Sequence, residues 1–137
     1  MKQAGAADFR ATMRIYWEDT DAAGIVFYAN YLKFFERART EWLRSLGFGQ
    51  EGLRRDAGVA FVVSETGLRY RRPARLDDVI DVSVAVVHLG QASLEIAQEA
   101  RRAGELLADG TIRIGCVELE TFRPCRIPND IRLALHR

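Results

Sequence analysis

Apolar and polar side chains alternate at the start of the chain: Met13, Ile15 and Trp17 against Arg14, Tyr16 and Glu18. A period of two predicts a first strand with the apolar set turned inward. A loop follows, and at Tyr31 the period changes. Tyr31, Phe34, Phe35, Ala38, Trp42, Leu43 and Leu46 recur at helical spacing, with Lys33, Glu36, Arg37, Thr40, Glu41 and Arg44 on the other side. With Gly47 as the stop, this predicts a helix of about 17 to 19 residues, roughly 25–28 Å long. Its apolar stripe is wide and aromatic, so it must lie against something large. Gln50 to Ala57 predicts a further short helical turn, ended by Gly58.

From there the period returns to two. Val59 to Tyr70, Val79 to Leu89, Ser93 to Arg101 and Leu106 to Phe122 read as strands, with Ile80, Val82, Val84 and Val86, then Leu94 and Ile96, then Ile112, Ile114 and Cys116 on inner faces. Gly90-Gln91 and Ala103-Gly104 make the turns, Pro124 and Pro128 end the last strand, and Asn129 to His136 suggests a terminal helical turn. Short turns favour an antiparallel sheet. One long helix against one antiparallel sheet of about five strands is an α+β layer. Such a sheet has open edges, and pairing two copies edge to edge protects them, so a homodimer is expected on physical grounds.

Composition narrows the classes. The 137 residues are most simply one domain, with residues 1–10 a frayed lead-in. The charges nearly cancel, 20 basic against 19 acidic, so no global field recruits nucleic acid or a membrane surface. No apolar run is long enough for a transmembrane helix, and the first ten residues lack the apolar centre of a signal peptide; the expected location is cytoplasmic. Cys116 and Cys125 do not have the spacing of a zinc site and are read as reduced, inert thiols.

The candidate chemistry lies between the first strand and the helix, in Glu18-Asp19-Thr20-Asp21-Ala22-Ala23-Gly24-Ile25-Val26-Phe27-Tyr28-Ala29-Asn30-Tyr31. A carboxylate, a flexible glycine and the electropositive start of a helix fall within a few residues. These are the parts needed to attack an activated carbonyl and to hold the oxygen that becomes negative. From spacing alone Asp21 has two readings: a turn aspartate bonding its own backbone, or the reacting acid. Gly24 is read as letting the backbone turn tightly and substrate come close. Ile25 and Val26 either line a substrate pocket or plug the core beneath the helix. Asp19 is read as a structural carboxylate.

The segment Asp19 to Tyr31 resembles the signature of the hotdog-fold acyl-CoA thioesterases of the 4-hydroxybenzoyl-CoA thioesterase family, in particular its YbgC-type branch associated with the Tol-Pal system. The likeness continues through Phe35-Glu36-Arg37-Ala38-Arg39-Thr40-Glu41, Phe61-Val62-Val63 and Pro73-Ala74-Arg75-Leu76-Asp77-Asp78, spanning about residues 12 to 130. The resemblance implies a helix wrapped by an antiparallel sheet, and a homodimer with a continuous sheet, often a homotetramer, with sites at the subunit interface. It implies hydrolysis of acyl-CoA without metal or organic cofactor; an acyl carrier protein is a possible partner. It assigns catalysis to Asp21, as nucleophile or general base, and carbonyl polarisation to the backbone N–H of Tyr28. Many YbgC-type members carry histidine at that position. A phenol is no base near neutral pH, so only the backbone role carries over.

Arg71, Arg72 and Arg75 are either a grip on coenzyme A phosphates or a solvated turn with Arg75 paired to Asp77 or Asp78; the second is favoured, as it is for Arg123 and Arg126. His88 and His136 neighbour no nucleophile motif. Two other classes compete with this reading. The Asp19-Thr20-Asp21 pair superficially matches metal-dependent phosphotransferases, but those need a parallel sheet. A dimer that binds an acyl thioester or an acyl-carrier partner without turnover is the alternative to an enzyme.

Overall fold

A computed structural model describes residues 9–136. Strand β1 (Phe9–Arg14) leads through two 3₁₀ turns, Trp17–Asp19 and Tyr28–Asn30, into helix α1 (Tyr31–Ser45). A short helix α2 (Gln50–Gly52) continues as a π turn over Leu53–Ala57. Then come β2 (Val59–Tyr70), β3 (Val79–Leu89), β4 (Ser93–Arg102), β5 (Glu105–Glu118) and α3 (Asn129–Leu135). The strands form one antiparallel sheet in the order β1-β3-β4-β5-β2, the α+β arrangement expected. Consecutive pairing of β3, β4 and β5 follows from the tight turns; β2 reaches its place beside β5 by a longer connection.

Helix α1 buries Tyr31, Phe34, Phe35, Ala38, Arg39, Trp42 and Leu43, a stripe at i, i+3, i+4, i+7, i+8 spacing. It meets the inner residues Ile80, Val82, Val84, Leu94, Ile96, Ile112 and Ile114 in one continuous core. A polar pair, Gln98 and Arg39, sits inside that core. Fully buried Gln98 donates to the carbonyls of Phe35 (3.1 Å) and Ser83 (3.3 Å), and accepts from Arg39 Nη1 (2.9 Å). Burial pulls the Arg39 guanidinium below its usual range, and Glu36 offsets part of that.

Several expectations are corrected. Strand β1 stops at Arg14, because the Tyr16 N–H is taken by the Asp19 carboxylate (2.9 Å). Trp17 therefore lies on a 3₁₀ turn and is 80% exposed, not inward. The helix proper has 15 residues, since its first turn is the separate 3₁₀ segment at Tyr28. Strand β5 ends at Glu118 and not Phe122, because the chain reverses there: Glu118 N–H bonds Arg123 O (2.9 Å) and Phe122 N–H bonds Glu118 O (2.7 Å). Of the lead-in expected over residues 1–10, Phe9 and Arg10 belong to β1 and the rest lies outside the described residues. Among the described residues no helix is long and apolar enough to cross a membrane.

Gly110 on β5 faces Leu68 of β2, and a Cβ there would collide with the Gly67 carbonyl and the Leu68 side chain. Gly115 on the same strand has open space at that point. Gly110→Ala is expected to lower stability by about 1–3 kcal/mol in urea unfolding, as overpacking does, and Gly115→Ala by clearly less; equal effects would contradict the close approach.

Candidate active site

The Asp21 segment folds as a tight hairpin. Asp21 N–H bonds Ile25 O (2.9 Å) and Gly24 N–H bonds Asp21 O (3.0 Å), with Thr20 bridging to Val26. Aspartate at the first turn position and glycine at the fourth suit this geometry. Gly24 has φ +80°, which a side chain would strain. The Asp21 carboxylate is exposed, and its Oδ1 accepts the Ala23 N–H (2.8 Å). This is the turn-aspartate contact anticipated from spacing. The second oxygen, Oδ2, has no protein partner among the described residues.

Asp19 is its opposite. It is 4% exposed; one carboxylate oxygen accepts Tyr16 N–H (2.9 Å), the other Asn30 Nδ2 (2.9 Å). Its backbone carbonyl accepts Phe27 N–H (3.1 Å). Asp19 thus closes the base of the hairpin and ties it to the turn that starts the helix. In that turn, neither the Tyr28 nor the Ala29 N–H has a protein acceptor among the described residues. Unpaired donors at a helix start are the expected consequence of helix geometry, and they are what an anionic oxygen needs.

Beside the hairpin lies a cleft of ≈ 310 Å³ walled by Ile25, Val26, Tyr28, Tyr31, Tyr70 and Arg71 to Pro73. Its rings touch: Tyr28 meets Tyr70 edge-on at 6.2 Å between centroids, and Tyr31 lies 5.6 Å from Tyr70. The cleft wall is knitted to the hairpin through Ala74. Its N–H bonds the buried Tyr31 hydroxyl oxygen (3.2 Å) and its carbonyl accepts Val26 N–H (2.9 Å). Ile25 bridges to Arg75 alongside.

The structure therefore brings Ile25, Val26 and Tyr28 to one cleft. Asp21 and Gly24 stand on the other arm and tip of the hairpin and do not line it. The arginines divide. Arg71 pairs with Asp109 (2.9 Å) and Arg72 with Glu105 (3.2 Å), both at the cleft mouth. Arg75 contacts Asp78 through its backbone N–H (2.8 Å), while the ion partner of Asp78 is Arg102 (2.6 Å) and not Arg75. Tyr70 was not singled out from sequence. It ends a strand whose alternation is broken by a bulge between Val63 and Glu65, which hides the face it takes. Arg39 was also missed, although it falls on the helical period of the buried stripe.

Asp19→Ala leaves a buried amide and a backbone N–H without acceptors. It is expected to cost about 2–3 kcal/mol of stability in urea unfolding, the range for hydrogen bonds to a charged group, whereas Asp21→Ala costs less than about 1 kcal/mol, as befits an exposed turn contact. A reversed order would overturn this division of labour.

Residues 15–135 match the model of the thioesterase-like superfamily. The chain is 39% identical over 128 residues to the acyl-CoA thioesterase YbgC of Haemophilus influenzae, covering 93% of this chain and 94% of that one. Among solved structures it resembles a probable thioesterase from Bartonella henselae (TM-score 0.82, 31% identity, 87% and 98% of the two chains). A hypothetical protein from Thermus thermophilus superposes with a TM-score of 0.88 at 32% identity, over 94% and 98% of the two chains. A long helix on a five-stranded antiparallel sheet and these matches over nearly the whole length lead to one conclusion: the chain belongs to the thioesterase-like superfamily of hotdog-fold enzymes.

Proposed function

We propose that the protein hydrolyses acyl-CoA thioesters to the free acid and coenzyme A, with Asp21 as the reacting acid and the Tyr28 N–H as the donor to the carbonyl oxygen. The observation that carries this is the contrast between the two aspartates. Both oxygens of Asp19 are committed to structural bonds, whereas Asp21 keeps one oxygen free on a rigid hairpin. Asp21 either attacks the thioester carbon, giving an anhydride that water opens, or takes a proton from the water that attacks. In both routes the C–S bond breaks, a C–O bond forms and the proton ends on the departing thiolate. The negative charge on the carbonyl oxygen is met by the unpaired N–H groups at Tyr28 and Ala29. Removing one such donor typically costs about 2.7–4 kcal/mol of transition-state stabilisation. Gly24 keeps the hairpin tip narrow so that substrate can approach, and Ile25 and Val26 form the apolar wall beside the thioester.

The working unit in this reading is a homodimer. The free edge of β2 runs for 12 residues and leaves Val62 and Val63 exposed. An edge that long is normally covered. Two β2 edges joined antiparallel near the bulge after Val63 set the Val59–Phe61 end of one copy against the Gly67–Arg69 end of the other. A second, apolar cavity of ≈ 270 Å³ lies under Phe61, Val62 and Val63 and along Trp42 and Leu43. Pairing of the edges puts it next to the partner's tyrosine cleft, where it offers room for the acyl group.

A hydrolysis panel of short, long and aromatic acyl-CoAs and an acyl carrier protein thioester, with detection of free thiol, tests the activity. Asp21→Asn is expected to keep acyl-CoA binding and lose turnover by about 10²–10⁴-fold, the usual share of a positioned acid or base; undiminished turnover rejects the assignment. Val63→Asp places like charges at the joined edges. Sedimentation should show the wild type at twice the chain mass and this variant at one, with turnover lost alongside; an active wild-type monomer would refute the shared site.

A further inference from the structure

The two cysteines, read from sequence as inert thiols, are brought into contact by a reversal of the chain. After β5 the chain reverses and runs back along it: Val117 bridges to Pro124, and Cys125 N–H bonds Cys116 O (2.9 Å). Cys116 and Cys125 stand opposite each other in this pairing, with Sγ to Sγ 3.6 Å. One of the two bonds of a directly opposed pair is made, the Cys116 N–H going instead to Ala92 O (2.9 Å); such opposed residues have Cα atoms about 4.5–5.5 Å apart, inside the span of about 4.4–6.8 Å that a disulfide bridges. The sulfurs need to close by only about 1.5 Å to bonding distance. Cys116 is fully buried and Cys125 is half-buried. No group of three or more metal-binding side chains is present among the described residues, so nothing there completes a metal site around the pair.

We propose that Cys116 and Cys125 form a thiol–disulfide exchange site that takes low-molecular-weight disulfides and closes to an internal disulfide. The half-buried Cys125 is the sulfur that reagent reaches. Its thiolate attacks the small disulfide RS–SR; that S–S bond breaks, a Cys125–S–S–R bond forms, and RS⁻ leaves to pick up the proton Cys125 gave to solvent. Cys116 then attacks Cys125 Sγ; the Cys116–Cys125 S–S bond forms, the bond between Cys125 Sγ and the SR sulfur breaks, and a second RSH departs with the proton of Cys116. Two protein thiols are oxidised by two electrons and one RSSR is reduced to two RSH. The order is fixed by access and by charge. Burial, aided by the neighbouring Cys125, pushes the Cys116 thiol up to about 12, so it is a poor first nucleophile. Once Cys125 carries a leaving group, contact geometry makes Cys116 the resolving partner.

The bond would pin the return segment to β5. That segment leads directly through the buried Ile127 into α3, whose Ile131 and Leu135 belong to the core. Oxidation therefore closes a short loop and fastens the carboxy-terminal helix to the sheet.

The test uses the whole protein incubated with glutathione disulfide, then alkylated without reductant and weighed intact. The expected product has lost two hydrogens, takes up no alkyl group, gives one peptide pair linking residues 116 and 125, and melts several degrees higher than the reduced form. Dithiothreitol restores both thiols and the original melting point. Cys125→Ser is expected to show no mass change, because buried Cys116 alone is out of reach. A stable mixed disulfide on Cys125, a cross-link between two chains, or two thiols still alkylated after incubation would each overturn the proposal.

Discussion

The placement of the site rests on the Asp19 carboxylate. It bonds Tyr16, just past the first strand, and Asn30, at the start of the helix, while the Asp19 backbone carbonyl takes Phe27 N–H at the base of the hairpin. A loop that carries chemistry must be held by something rigid, and here the anchor is a buried acid with every oxygen engaged. Loss of those contacts strands a backbone N–H and a buried amide together, the loss expected to cost about 2–3 kcal/mol. The same contacts explain why the acid two residues on is free. Asp21 projects from the far side of a hairpin whose ends are already fixed, so its own carboxylate has only the Ala23 N–H to satisfy.

Ala74 is the second hinge point of the arrangement. Fully buried, it spends its N–H on Tyr31 and its carbonyl on Val26, joining helix, hairpin and the arginine-bearing segment after β2. Arg102 holds that segment from beneath, through Asp78 (2.6 Å), the Pro73 carbonyl (3.3 Å) and Glu105 (2.7 Å). Burial pushes the Asp78 carboxyl up, but the Arg75 N–H and the Arg102 guanidinium outweigh it and hold the group below the usual carboxylate range. With its folded value depressed, Asp78 contributes stability above the ordinary carboxylate range and loses it as pH falls through the depressed value. The cleft wall is thus secured by ionic contacts that acid weakens, while the hairpin rests on the Asp19 bonds.

Periodicity made the elements legible. Val59–Tyr70 and Val79–Leu89 have the bounds read from alternation, and the inner residues Ile80, Leu94, Ile96, Ile112 and Ile114 are buried as expected. What failed were places where a side chain competes with the ladder. Trp17 continues an alternation that the backbone abandons, because the Asp19 carboxylate captures an N–H that a strand would have used. Phe122 sits past a reversal and adopts φ +57°, which no pattern of apolar residues announces. The candidate site was legible as a segment: Ile25, Val26 and Tyr28 share a cleft. Its other wall, Tyr70 and the Ala74 contacts, comes from a strand end some forty residues away in the chain (Ala74 lies 43 residues from Tyr31). A single sequence carries no signal for that meeting. The contact between Cys116 and Cys125 was hidden for a related reason, since the turn between them follows a strand read as four residues longer than it is.

Arg39 shows how the core and the site are linked. An apolar stripe by itself allows a helix to slide by a turn along a sheet of branched side chains, because such contacts are non-directional. The pairing of Arg39 Nη1 with Gln98 Oε1, and of Gln98 Nε2 with the Phe35 carbonyl, allows no such freedom. A shift of one turn, about 5.4 Å, would part Gln98 from both Arg39 Nη1 and the Phe35 carbonyl, leaving a buried amide oxygen and a buried guanidinium N–H without their partners. The penalty for each exceeds what one extra apolar contact returns. Burying the cation is itself costly, and a hydrophobic pair of the same volume would serve stability as well. What the polar pair supplies is register. Because Tyr28 and Tyr31 begin the same helical path, fixing Arg39 against β4 also fixes where the free amides stand relative to the Asp21 hairpin.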